Sequence, residues 1–370
     1  MTTLLDTLSS DDAAAVAGRC DDLRAHHLRF RAAELRALLD DAASEPGGAE
    51  LPAQLSALSG PALLRVLEGP ETLAHLLAFH RGRRARAVEF LSLAIRAERV
   101  REGEPPPASG CWTALGDRHA HPDRAPYHAP TVEGCIIDVR SPFGRHPPGA
   151  SRRDLGAPLL PRLDAPPSDG DEEAVVPKLR ATLQALGLVS PAALALVTGS
   201  LVTILPRPSR GTEPAFTSVS SRPRVGSATL VDAAAPGVSR ARIAGALLHE
   251  AIHSYLYRLE LAVPLVDCPR TATQATVRSP WTGSELRLNT YVHACFVYFA
   301  LVSLWRRAEA RRFFDPAQVE LLASRAASGF AGGEHLARLR AHRPHLHRVV
   351  DEQLARMTDR LDLPTEAWSA

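Results

Sequence analysis

His249-Glu250-Ala251-Ile252-His253 sets two histidines four residues apart around a glutamate. On a helix this spacing puts both imidazoles on one face, one turn apart, where both can ligate a single metal ion. Glu250 then stands beside the metal, within reach of a metal-bound water or a substrate, and is the candidate acid–base residue. The surrounding sequence supports a helix rather than a chance pentapeptide. Ser239 is a suitable N-cap, and Ile243, Leu247, Leu248, Ile252, Tyr255 and Leu256 recur at helical spacing. No proline falls between 239 and 262. Residues 225–231 read as a strand running up to this helix.

Two histidines do not complete a metal site. The stretch 254–261 lacks the Gly and the third His of the metzincin pattern. Glu260 lies two turns further along the same helix and reads as a solvated end charge. Asp267 falls in a loop. Glu285 and His293 belong to a second informative segment, 279–305. There a loop precedes a strongly apolar helix of about 18 residues, roughly 27 Å long, with His293 in its early stretch. Beside an HExxH helix, such a histidine reads as the third ligand. Glu285 and Asp267 are the alternatives, and Glu250 or Asp267 would supply the carboxylate of an ordinary facial triad.

The combination of HExxH, Ser279-Pro280-Trp281, Arg287 and a His293 that opens an apolar helix resembles a known family. So do Ser220-Ser221 and Val225-Gly226-Ser227 ahead of the motif. The family is the HExxH-type, 2-oxoglutarate- and Fe(II)-dependent peptide β-hydroxylases, the HEXXH-motif proteins of ribosomally made, modified peptides (RiPP biosynthesis). The resemblance covers residues 216–305. The N-terminal half shares only a helical character and a Trp-containing segment, 111–117. Thr282 stands where the family often has Arg. The resemblance implies a non-haem Fe(II) held by His249, His253 and His293, chelated by the cosubstrate 2-oxoglutarate, with O2 in the remaining position. It implies a dioxygenase that hydroxylates a side chain, at Cβ, of a precursor peptide. Arg287 would grip the distal carboxylate of 2-oxoglutarate through a bidentate fork, with Arg278 and Arg270 as alternates. The hydroxyls of Ser279 and Tyr291 would add bonds to the cosubstrate. Trp281 would wall the pocket or cover a core.

Two other readings remain open. A zinc metallopeptidase would hold Zn2+ on His249, His253 and an acidic residue, with Glu250 the general base for a zinc-bound water. The strand before the helix would bind an extended peptide at its edge. That chemistry gives Ser-Pro-Trp, Arg287 and His293 no task, and the third-ligand signature is missing. A non-catalytic peptide-binding module is the third reading, against which stands the retention of His249, Glu250 and His253.

Composition narrows the setting. Of 43 Lys and Arg residues only Lys178 is a lysine, and the net charge of +2 sets up no strong field. Neither nucleic acid nor an anionic membrane is expected as a partner. The N-terminus lacks a signal-peptide pattern, and the apolar run 294–305 is shorter than the roughly 20 residues a bilayer crossing takes. Five scattered cysteines without CxxC spacing read as reduced thiols of a cytoplasmic protein.

The expected fold is α+β and mainly helical. A helical N-terminal region (1–103) and a Pro/His-rich linker (104–130) precede a metal-binding catalytic region (131–370) with a small sheet packed on the HExxH helix. Helices are predicted at 10–43, 51–58, 60–68, 71–80, 83–101, 172–188 and over most of 239–358. Strands are predicted at 132–139, 196–205, 216–220 and 225–231. Residues 141–171 read as a long surface loop. His119, His121 and His128 read as solvated loop residues, and His335, His342, His345 and His347 as an exposed basic face. The arginine-rich 81–86 reads as a solvated helix start, or as a dock for an acidic leader peptide.

Overall fold

The computed structural model describes residues 4–144, 163–165, 167–168, 170–209, 216–267 and 274–361. Most of the predicted loop 141–171 and the alternate Arg270 lie outside the described residues. The chain is mainly helical with small sheets, an α+β fold. It divides into two compact units, one of residues 24–180 and 200–238, the other of residues 1–23, 181–199 and 239–370. This division differs from the linear one read along the sequence. The reason is that the chain returns on itself: Arg360 Nη1 donates to Ser9 Oγ at 2.9 Å and Arg307 pairs with Asp11, tying the first residues to the last helices.

In the unit of residues 24–180 and 200–238, the helices Leu51–Ser56, Gly60–Glu68, Pro70–His80 and Arg84–Arg101 fall where the periodicity placed them. Ser59 caps the second of these, its Oγ accepting from the Ala62 amide at 3.2 Å, and Pro61 fills the first turn. Leu38, Val66, Leu76, Phe79, Leu91 and Ile95 form their core with Trp112.

Residues 111–128 are not a linker. β1 (Cys111–Trp112), β2 (Arg118–His121) and β3 (Arg124–His128) pair antiparallel. Trp112 is fully buried, and its Nε1 donates to the Ala165 carbonyl at 2.8 Å. His119 is buried against the Trp112 ring, which corrects its reading as a solvated loop residue.

A second sheet contains β4 (Thr131–Val132), β5 (Cys135–Ile137), β6 (Thr203–Arg207), β7 (Thr217–Val219) and β8 (Ser227–Val231), in the order β4-β5-β6-β8-β7. β5, β6 and β8 are parallel, with antiparallel β4 and β7 at the edges. The single strand predicted at 132–139 is instead a hairpin. Glu133 and Gly134 both take positive φ, 49° and 82°, as a two-residue turn between twisted strands requires.

The other unit carries the HExxH helix, Arg240–Leu259, and the apolar helix, Leu288–Trp305. They pack closely: a Cβ on Gly245 would sit 3.3 Å from the Trp305 ring. The strand predicted at 196–205 begins only at Thr203, because 191–200 is a helix, Pro191–Ser200. Ser190 accepts from the Ala193 amide at 3.1 Å and Pro191 follows, a start signal that outweighs the apolar run. β9 (Thr276–Arg278) and β10 (Glu285–Arg287) form a hairpin that leads directly into the apolar helix. That helix has a mean hydropathy of 1.3 over 18 residues, long and apolar enough to cross a bilayer, but 78% of it is buried within the fold, as in a core helix.

Candidate metal centre

The HExxH helix begins where the sequence starts it. Ser239 is the N-cap, and its Oγ accepts from the Arg242 amide at 3.3 Å. Three turns in, the helix presents His249 and His253 side by side, their Nε2 atoms 3.2 Å apart. Two nitrogens each about 2.1 Å from one ion are separated by about 3.0 to 3.4 Å for octahedral to tetrahedral angles. The His249–His253 edge therefore has the span of a two-ligand metal edge. Tyr257 continues the same stripe, its ring 6.0 Å from His253 and 5.1 Å from His293.

His293 comes from the second turn of the apolar helix and is 1% exposed. It meets His253 from the other side: the Nδ1 atoms of the two rings lie 3.1 Å apart. His253 thus stands between its neighbours, Nε2 toward His249 and Nδ1 toward His293. Among the described residues no three His, Cys, Asp or Glu side chains form a group that could hold a metal ion. The structure brings the three predicted histidines together as a row rather than as a convergent triad.

Burial first, and then the adjacent His249 and His293 rings, hold His253 well below the usual histidine range. It is therefore neutral near pH 7, the form of imidazole that binds a metal.

Glu260 is not the solvated end charge the sequence suggested. Its side chain is 5% exposed and its Oε1 lies 3.4 Å from His293 Nε2. Asn289, one turn before His293, donates from Nδ2 to the same oxygen. Glu285 and Asp267 are exposed.

The remaining predicted residues are distributed as follows. Glu250 is buried, 3% exposed, one residue past His249. Arg287 is exposed at the start of the apolar helix. Arg278 is exposed, and its Nε donates to the Gly283 carbonyl at 3.2 Å, inside its own hairpin. Ser279 is buried, with Oγ accepting from the Trp281 and Thr282 amides at 3.3 Å. Tyr291 is fully buried and its hydroxyl donates to the His335 carbonyl at 3.1 Å, so its one proton is committed. Trp281 is a core residue: Nε1 donates to the Ala326 carbonyl at 2.9 Å, and the ring stacks on Tyr298 at 4.4 Å. Tyr298 in turn meets His249 edge-on at 6.4 Å, so Trp281 backs the site through one intervening ring. His335 is also buried, against its reading as part of an exposed basic face.

Tyr257, Asn289 and Tyr298 were missed. Helical spacing held the signal: 249, 253, 257 and 260 lie on one stripe, and 289 and 293 are four apart. No family model matches the chain, and no curated protein is significantly similar to it.

Proposed function

We propose that the chain is a non-haem iron, 2-oxoglutarate-dependent dioxygenase that hydroxylates a side chain, at Cβ, of a ribosomally made peptide in the cytoplasm. The observation that carries this reading is the His249–His253 edge with His293 against it. It joins the two segments on which the family resemblance rests.

His249 and His253 would hold the iron through Nε2, and imidazole is a ligand set suited to Fe(II). Iron with 2-oxoglutarate and O2 supplies an oxidant strong enough for an unactivated C–H bond. The chain's own residues bind and orient. Arg287, exposed where the apolar helix begins, would take the distal carboxylate of 2-oxoglutarate as a bidentate pair. Of the two candidate hydroxyls, Ser279 only accepts in the bonds it makes to the Trp281 and Thr282 amides, whereas Tyr291 already donates its proton to His335. Ser279 is therefore the better donor to an anion. Tyr298, stacked on Trp281, fixes the His249 ring from behind.

The test is anaerobic addition of Fe(II) and 2-oxoglutarate, followed by visible absorption. A weak metal-to-ligand charge-transfer band is expected, absent from His249→Ala. No band, together with one tightly held Zn2+ per chain, would replace this reading by the zinc peptidase. In that case Glu250→Gln would abolish peptide cleavage while leaving the zinc in place.

A further inference from the structure

The two helices that carry the histidines are core helices, and each opens to solvent along one stripe. From 247 to 258 only His249, His253 and Tyr257 are not buried, and from 291 to 302 only Ala294 and Tyr298 are not. Both sets recur at four residues, the spacing of one helix face. The helices run antiparallel: Tyr298 meets His249, His293 meets His253 and Asn289 meets Glu260. The two stripes therefore meet where Tyr298 stands against His249, while Tyr257 flanks the other end of the histidine pair.

Tyr298 is held in place but not satisfied. Its ring stacks on Trp281 at 4.4 Å with 7° between the planes, and it stands edge-on to His249 at 6.4 Å. Among the described residues its hydroxyl has no hydrogen-bond partner, and its oxygen is not sealed from solvent. Tyr291 on the same helix is the contrast, fully buried with its hydroxyl bonded to the His335 carbonyl. Arg325 adjoins the same ring system. It lies in the helix Pro316–Ala327, beside Ala326, whose carbonyl accepts the Trp281 indole bond at 2.9 Å. Arg325 is exposed, and its guanidinium has no carboxylate partner among the described residues. Burial raises the Tyr298 hydroxyl above its ordinary range, and the Arg325 charge acts on it in the opposite direction. Near pH 7 that hydroxyl is a protonated donor.

A guanidinium fork beside a phenol donor fits one chemical class, a carboxylate, which accepts several charge-assisted bonds at once. A cation would be repelled, and a neutral carbonyl would gain little from the charge. We propose that Tyr298 and Arg325 form a carboxylate subsite at the His249 end of the His249–His253 edge. The carboxylate comes from one of two sources, the 2-oxo acid or an acidic side chain of the peptide. That the subsite faces a reacting metal rests on the function proposed above, whereas the binding of a carboxylate does not.

The test uses the full-length chain with Zn2+ added, a redox-inert ion that prevents turnover, and compares Tyr298→Phe and Arg325→Met with the wild type. Tyr298→Phe keeps the ring on Trp281, and Arg325→Met changes an exposed side chain, so both variants should fold. Calorimetry reads 2-oxoglutarate binding. Saturation-transfer NMR reads the binding of N-acetylaspartate methylamide and of its asparagine counterpart. Binding of 2-oxoglutarate about 10- to 100-fold weaker in both variants would assign the subsite to the 2-oxo acid and transfer to Arg325 the role given to Arg287. Unchanged 2-oxoglutarate binding, with the aspartate probe weakened and the asparagine probe unaffected, would assign it to an acidic residue of the peptide. Unchanged affinity for every probe in both folded variants overturns the subsite, as does a wild type that binds neither carboxylate. Carboxylate binding that depends on Tyr298 and Arg325 in a chain that takes up no Zn2+ would uphold the subsite and remove the metal reading.

Discussion

His249, His253 and His293 are three identical side chains whose surroundings give them different tasks. His249 is half-buried with one ring nitrogen on the shared edge, His253 is neutral and doubly contacted, and His293 is sealed against a carboxylate. The motif made the first two legible, since two histidines four apart on a helix have one obvious use. Glu260 was not legible because its distance was judged along its own helix, where it is too far to be a ligand. Its neighbours, His293 and Asn289, come from another helix. Gly329 gives a test of how the site is backed. A Cβ there would overlap the Trp281 ring, which stacks on Tyr298 behind His249. Gly329→Ala should lower stability by about 1 to 3 kcal/mol in urea unfolding and weaken metal binding in the same preparation. His335 provides a pH signature. Burial pushes it down to about 4, below its unfolded value, so the unfolded chain takes up the proton first as pH falls. Its share of native stability is complete above about pH 6.5 and is lost as pH drops towards 4, about 3 kcal/mol in all. Urea midpoints at pH 7 and 4.5 should therefore differ less in His335→Gln than in the wild type.

The start of the HExxH helix and the length of the apolar helix were legible because cap, periodicity and composition agree. Ser239 both reads as an N-cap and acts as one. Ser239→Ala should cost about 1 kcal/mol, seen as a lower urea midpoint, with little change in metal affinity because His249 lies nearly three turns further on. The strands were less legible. The segment 132–139 has Val and Ile on both sides of its turn, and Glu133, a residue that rarely takes positive φ, does not signal one. The run from 191 to 205 is mostly apolar on both sides of Thr198-Gly199-Ser200, so the Ser190-Pro191 start signal is what separates helix from strand in its first part. The short strands at 111–128 were hidden by prolines and histidines that suggest a solvated loop, although Trp112 needed a core to enter.

At the scale of the whole chain, the class of fold was legible and the grouping of its parts was not, because the unit that carries the histidines is assembled from three stretches of sequence. The other unit holds its own buried charges. Arg207, 6% exposed, pairs with the fully buried Asp138 and donates to the Phe143, Pro206 and Asp138 carbonyls. Arg207→Met would leave Asp138 without its cation in the core, and should destabilise the protein by about 3 to 5 kcal/mol in urea unfolding. The central claim concerns one divalent ion on the His249–His253 edge, and metal stoichiometry tests it most directly. Anaerobic titration of the metal-free chain with Fe(II) should show one ion per chain, with binding lost in both His249→Ala and His253→Ala. Retention of that stoichiometry by the double variant, or no binding by the wild type, would contradict the account.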